Sequence, residues 1–309
     1  MMEGKDSRKS RWMFISSMLI FGTIGIFRRY IPLSSGFLAF SRGLLGGLFL
    51  LVLTGTGKRK LSGKMTRNSL LQLIISGAFI GVNWILLFEA YHYTTVAVAT
   101  LCYYMQPTIV ILLSPLVFRE RMTWKKAGCA AVSLLGMTLV SGVAGDSSAQ
   151  GGSMQGILLG LGAAAFYSAV VMMNRKIRGV DAYQRTIIQL LSAGMVMLPY
   201  LLLTHGVTSE GFRVSALLLL AVVGILHKGV AYALYFGGME GLSLQSVAVL
   251  SYIDPVSALL FSAFLLGEPL SVTGIIGAVM ILGAALVSEI RPGEAETAPA
   301  ERNESSFSK

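Results

Sequence analysis

The chain has 309 residues, of which 54% are hydrophobic and 13% charged, with a mean hydropathy of +0.70. Soluble domains carry about 25% charge, so this composition cannot cover a soluble globule and excludes cytosolic enzymes, nucleic-acid binders and disordered chains. The net charge of +10 sits in short basic clusters between apolar runs, a topology signal rather than a phosphate-binding footprint.

A helix needs about 20 apolar residues to cross roughly 30 Å of hydrocarbon. Ten runs predict spans over 12–27, 34–54, 69–91, 95–117, 125–143, 155–174, 183–204, 213–236, 243–266 and 271–289. The first is short and follows Lys5, Arg8, Lys9 and Arg11, as in a signal peptide. No small-residue cleavage site follows it, and Arg28-Arg29 stand where one would lie, so it reads as an uncleaved first span. With the N-terminus inside, the inner segments hold twenty Lys and Arg and the outer loops only Arg28, Arg29 and Arg213. The positive-inside rule then makes both termini cytoplasmic. Arg28 and Arg29 are the exception, for which snorkelling from a short helix is the available account.

The Gly/Ser-rich stretch 142–155 divides the ten spans into five plus five. The predicted organisation is a first repeat over 12–143, a linker over 144–154, a second repeat over 155–289 and a disordered cytoplasmic tail over 290–309. Sliding the chain on itself by 148 residues aligns Gly81 with Gly229, Val82 with Val230, Leu86 with Leu234 and Phe88 with Phe236. Without a gap it also aligns Tyr104 with Tyr252, Pro107 with Pro255, Leu112 with Leu260, Ser114 with Ser262 and Glu120 with Glu268. An odd number of spans per half turns the second copy upside down. Inverted repeats are an architecture of secondary transporters, which bind substrate near the bilayer midplane between the halves. The predicted fold is therefore an all-α integral membrane protein of ten transmembrane helices in two inverted five-helix repeats.

The stretch from Tyr104-Met105-Gln106-Pro107 to Arg119-Glu120-Arg121-Met122-Thr123 has a partner running from Tyr252-Ile253-Asp254-Pro255 to Gly267-Glu268-Pro269-Leu270-Ser271. Each is followed by a Gly-rich apolar helix. This pattern resembles the tandem EamA repeat of the drug/metabolite transporter superfamily, over about 12 to 290. The first copy departs from it, with Arg119 where Gly267 stands. The resemblance implies ten helices, cytoplasmic termini and export or exchange of small metabolites, often amino acids. It transfers the fold better than the cargo.

Three charges fall near the midplane of their spans: Arg42, Lys228 and Asp254. An intramembrane charge is costly and usually faces a cavity or a partner. Lys228 and Asp254 are open to two readings, a pair that only ties helices together or a site for substrate or protons. Pro107 and Pro255 remove a backbone hydrogen bond in mid-span and should bend their helices, with Gln106 and Asp254 beside the bend. Lys228, Tyr232 and Tyr235 recur at helical spacing with His227 alongside, and the aligned third span offers Asn83, Trp84 and Phe88. Tyr103, Tyr104 and Tyr252 precede the prolines and Tyr167 lies on the sixth span. Such aromatic faces are either helix packing or the lining of a cavity for an amphipathic solute. Gly156, Gly160, Ala164 and Ser168 form a small-residue stripe for close helix packing. Glu120 and Glu268 are expected to fix tight turns rather than to bind substrate.

Cys102 and Cys129 lie in apolar runs, and His92, His205 and His227 are scattered, so no disulfide framework or metal centre is expected. Neither hydrolase, metalloprotease nor nucleotide-binding motifs occur, so the chain is not read as an enzyme. The expected partners are a small-molecule substrate and the lipid bilayer of a bacterial inner membrane, without nucleic acid, and a homodimer is compatible with the sequence. No cofactor is called for. Energy would come from the solute gradient or from protons carried by Asp254, with Lys228 and Arg42 as anion contacts. The alternative function is a channel or a membrane assembly factor on the same fold.

Overall fold

The computed structural model describes residues 3–31, 33–56, 65–119, 122–140, 153–177, 179–203, 213–239, 241–242 and 244–289. The tail over 290–309, all but the last two residues of the linker over 144–154, and Glu120 lie outside these. Among the described residues all regular structure is helical. In the first half α1 (Glu3–Gly22), α2 (Ile24–Tyr30), α3 (Ser35–Thr56), α4 (Arg67–Tyr93), α5 (Val96–Tyr103), α6 (Gln106–Phe118) and α7 (Trp124–Val140) follow one another. The second half holds α8 (Met154–Lys176), α9 (Ala182–Leu203), α10 (Val214–Val222), a π-helical segment (Val223–Val230), α11 (Ala231–Met239), α12 (Leu244–Ser251), α13 (Ile253–Leu265) and α14 (Val272–Glu289).

Seven helical stretches are long and apolar enough to cross a membrane: Arg8–Tyr30, Ser35–Thr56, Arg67–Tyr93, Val96–Phe118, Met154–Lys176, Ala182–Leu203 and Val214–Met239. Val249–Leu265 and Val272–Ser288 are shorter apolar helices, and α7, of 17 residues, lies packed along α14. The outward faces carry large apolar side chains such as Leu116, Leu203 and Phe264, each about four-fifths exposed. Such a surface needs lipid around it. The protein is a multi-pass membrane protein.

Three spans are interrupted in mid-course. The first expected span, 12–27, is longer at both ends, because helix extends from Glu3 to Tyr30 with a break at Thr23. There the Thr23 hydroxyl donates to the Ile20 carbonyl (2.7 Å), a competing local bond that helix interiors tolerate poorly. The fourth span breaks at Tyr104–Met105 and the ninth at Tyr252. Pro107 and Pro255 therefore stand in the first turn of a new helix, where a missing N–H costs little, rather than within a continuous bent one. The eighth span passes through the π-helical segment.

Helix α4 packs on α8 and α9, α3 on α9 and the π-helical segment, α1 on α11 and α13, α6 on α8, and α7 on α14. Adding 148 to the first-half positions turns this set of pairs into itself: α4 with α8 becomes α11 with α1, and α4 with α9 becomes the π-helical segment with α3. The central core joins Leu38, Leu50, Phe88, Ala163, Leu190 and Val223 from both halves. The small-residue stripe of α8 is used as its spacing suggested. A Cβ on Gly156 would meet Thr94, and one on Gly160 would meet Cys102 at 2.7 Å.

Arg28 does not snorkel. It is 3% exposed, donates to the Ile31 carbonyl (3.0 Å) and the Ser35 hydroxyl (3.1 Å), and touches the His92 ring. It thereby pins the α2–α3 turn to the end of α4, while exposed Arg29 reaches the Tyr91 carbonyl. The charge is held by the loop it organises, which accounts for a cation on the poorly charged side.

Candidate functional site

A buried cavity of about 160 Å³ lies where the irregular spans meet, lined from α1, α2, α3, α4, α5, α8, the π-helical segment, α11 and α13. Arg42, Trp84, Tyr104, Tyr167, His227, Lys228, Tyr232 and Asp254 all face it. Eight of the residues singled out from the sequence thus come together from six different spans. A larger groove of about 910 Å³, between α5, α13 and α14, is mostly aliphatic and contains Tyr252 and Glu268. It has the volume but none of the three midplane charges, so the smaller cavity is the candidate site.

Local backbone irregularity aims these side chains. Around the π-helical segment, whose hydrogen bonds skip one residue further than in an α-helix, His227 and Lys228 point into the protein and are 0% and 6% exposed. Lys228 reaches the cavity beside α3 because Gly46 leaves room for its stem; a Cβ at Gly46 would collide with the Lys228 Cβ. The ammonium sits 4.4 Å from the centre of the Trp84 ring and 4.9 Å from that of Tyr232, with the Tyr232 hydroxyl at 3.4 Å. Arg42, 4% exposed on α3, stacks over Trp84 (5.1 Å) and Phe88 (4.8 Å), and its Nε has no hydrogen-bond partner. Both cations are held by aromatic faces.

Asp254 opens α13, and one of its carboxylate oxygens accepts from the Tyr104 hydroxyl at 2.5 Å. That bond joins the two helix breaks, since Tyr104 ends the first and Asp254 follows the second. Lys228 and Asp254 share the cavity but are engaged by Tyr232 and Tyr104 rather than by each other. They do not form a purely structural ion pair. His227 meets the break in the first span. The Thr23 hydroxyl, which also bonds the Ile20 carbonyl, is hydrogen-bonded to Nε2 of His227 at 2.8 Å, and the buried Nδ1 has no partner. The edge of Phe27 closes on the same imidazole.

Four selected residues lie elsewhere, among them Tyr235, whose ring packs 5.1 Å from that of Phe14. Asn83 donates to the Ala163 carbonyl at 2.6 Å and ties α4 to α8. Gln106 offers its backbone carbonyl to Ser168 at 3.1 Å, outside the cavity lining. Tyr252 lines the lateral groove. Glu268 does bond Ser262 within its own turn, and it also accepts from the Val96 N–H at 2.8 Å, capping the first turn of α5 across the fold. Sequence reasoning missed Tyr91, Thr100 and Gly25 in the lining. Tyr91 was legible: Trp84, Phe88 and Tyr91 follow the i, i+4, i+7 spacing of one helix face. Gly25 had no such signal, because its place is set by Val96 of another span.

A multi-pass membrane protein whose spans line a charged, aromatic-walled cavity has the architecture expected of a membrane transporter. Comparison with known proteins then gives the family. The model of the EamA-like transporter family matches residues 9–142 and again 154–289, and the chain belongs to that family. It is 28% identical over 283 residues to an uncharacterised transporter, YxxF, of Bacillus subtilis, covering 91% of this chain and 90% of that protein. It is 29% identical over 221 residues to protein PecM of Dickeya dadantii, covering 70% and 72%. With an uncharacterised inner membrane transporter, YicL, of Salmonella typhimurium it shares 25% identity over 296 residues, covering 91% and 95%. A crystal structure 20% identical in sequence superposes with a TM-score of 0.61 over 90% of this chain and 96% of the other, a likeness of fold alone.

Proposed function

We propose that this protein is a secondary transporter, an exporter or exchanger of small polar or amphipathic metabolites such as amino acids, working by alternating access. In this reading ten spans form two inverted five-helix halves, 12–143 and 155–289, in a bacterial inner membrane with both termini cytoplasmic. Rocking of one half against the other opens the cavity to each side in turn. The observation that carries the reading is that buried Arg42 and Lys228 and half-buried Asp254 line one cavity built by both halves. Charges at that depth are costly unless they serve a solute or ion path. Support for the inverted arrangement comes from the double family match and from the exchange symmetry of the helix pairs. Breaks at Tyr104 and Tyr252, 148 residues apart, interrupt the corresponding span of each half. Asp254, bridging them through Tyr104, is the proposed proton carrier, and no other cofactor is required.

The test is counterflow in proteoliposomes. Vesicles holding purified protein are preloaded in turn with amino acids, sugars, nucleosides or organic acids, then given the same solute labelled. Saturable exchange for one class, abolished by Lys228→Ala in protein that still folds, is expected. Unsaturable flux would mean a channel, and no flux for any class would favour an assembly role.

A further inference from the structure

Arg42 and Lys228 bring two positive charges to one side of the cavity, each within about 5 Å of the same Trp84 ring. Their donors are scarcely used. Arg42 makes no hydrogen bond among the described residues and its buried Nε is orphaned, while the Lys228 ammonium has one long contact, at 3.4 Å to Tyr232. Aromatic faces hold a cation in place but do not neutralise it. The one carboxylate in the lining, Asp254, is engaged by Tyr104. A buried guanidinium and ammonium in this state are incomplete, because desolvation of a charge is offset only by a hydrogen-bonded counter-charge. The formal charge of the lining, from Arg42, Lys228 and Asp254, is +1. One negative charge makes the occupied cavity neutral.

Size and wall chemistry narrow the occupant further. A cavity of about 150 Å³ lined by apolar side chains takes a molecule the size of benzene, and this one measures about 160 Å³. Beyond the two cations its wall includes the rings of Trp84, Phe88, Tyr91, Tyr103 and Tyr232, which offer apolar faces to a branched or cyclic group. We propose that the cavity binds a compact monocarboxylate anion, its carboxylate bridging Arg42 and Lys228 and its apolar part lying on this aromatic wall. An α-ammonium group on the same solute would restore the unbalanced positive charge, so plain carboxylates bind better than the matching zwitterions. The inference rests on the transporter reading for its biological use but not for the binding itself.

Three solutes of one carbon skeleton test it: isovalerate, its neutral amide isovaleramide, and valine, which adds an α-ammonium. Binding to purified protein is read as a shift in melting temperature, and transport as counterflow in proteoliposomes. Isovalerate should raise the melting temperature and exchange with itself, with isovaleramide inert and valine weaker. Arg42→Gln and Lys228→Gln should each raise the half-saturating isovalerate concentration at least about tenfold, the loss of one charge-assisted hydrogen bond, with Arg42→Lys intermediate. The three-solute comparison on the unaltered protein stands even if a variant fails to fold. Equal binding of amide and acid, or valine exchanging while isovalerate neither binds nor exchanges, overturns the anion site and leaves a transporter. Isovalerate that stabilises the protein without exchanging keeps the anion site and removes the transporter reading. Folded protein that responds to none of the three overturns the anion site.

Discussion

The pair α4 with α8 and the pair formed by α1–α2 with α10, the π-helical segment and α11 are counterparts under the 148-residue shift, yet they are built differently. Both α4 and α8 run unbroken. They are joined by Phe79 set edge-on to Phe166 and by the Asn83 bond to the Ala163 carbonyl. In the counterpart, His227 stands at the Phe79 position and Lys228 at the Ile80 position, one helix is interrupted at Thr23 and the other is π-wound. There the ring contact, now between His227 and Phe27, is joined by an imidazole–hydroxyl bond. The comparison teaches that the irregularities fall in the pair that carries His227 and Lys228 to the candidate site. Breaks and π-turns are sites of low helical order that persist where function holds them. Here they direct two polar side chains inward from a helix that would otherwise present an apolar face.

Removing the irregularity should therefore have the largest effect. A π-turn contains one residue more than the α-turn it replaces, so deletion of Ile225, which is exposed, restores α-helical register and swings Lys228 away from Trp84. Counterflow is expected to fall to background while the protein still elutes as a folded species. Exchange at the original rate would mean that the π-turn is incidental. A smaller effect is expected from crowding the same place. Gly46→Ala drives a methyl against the Lys228 stem and should cost about 1–3 kcal/mol in thermal unfolding, as overpacking does. On the regular pair, Gly162→Ala meets only the end of Leu86, at 3.4 Å, and should be tolerated. Similar losses at both positions would remove the contrast between the two pairs.

Smaller still are the polar links. Thr23→Val deletes the hydroxyl's bonds with Ile20 and His227 and Asn83→Leu the one bond to Ala163, each bond within the membrane worth about 0.6 and at most about 2 kcal/mol. The two should differ in kind. Loss of the Asn83 link to α8 lowers the melting temperature and leaves half-saturation alone. Loss of the Thr23 link frees the His227 ring beside Lys228 and should raise half-saturation as well. In a double-mutant cycle, Thr23→Val and His227→Phe should be non-additive, since both remove the same bond. Additive losses would show that the break at Thr23 is independent of His227.

The sequence made most of this scaffold legible because lipid simplifies the code: apolar length marks the spans. Most of the residues selected for the cavity face it, and these are the charges and large aromatics whose burial demands a reason. Asn83, Gln106 and Tyr252 do not, because hydropathy fixes depth in the membrane but not rotation about the helix axis. Asn83 shares a helix with Trp84, yet adjacent positions differ by about 100° around the axis, and one turns to Ala163 while the other turns to the cavity. The break at Thr23 was illegible for a different reason. Thr23 is bonded there to His227, 204 residues away, and single-span periodicity carries no such information. Arg28 likewise drew attention as an exception to charge bias, but only Ser35, Ile31 and His92 explain it.

The turn after the fourth and ninth spans offers the smallest and cleanest comparison between the halves. Arg119 has φ 55° and Gly267 has φ +65°, so both residues adopt the left-handed conformation although only one of them is glycine. The departure from the repeat pattern at Arg119 is therefore one of side chain and not of backbone. A left-handed residue other than glycine costs roughly 1–2 kcal/mol. Glycine in its place gains that back but loses about 0.5–1 kcal/mol to the greater freedom of the unfolded chain. Arg119→Gly should thus stabilise the protein by up to about 1 kcal/mol, and Gly267→Ala, which meets no atom within 4 Å, should destabilise it by a similar amount. Thermal unfolding of the two variants, with transport unchanged in both, checks this. If Arg119→Gly is destabilising, the exposed arginine makes contacts at the membrane surface that outweigh its backbone strain, and the two halves differ at this turn in more than sequence.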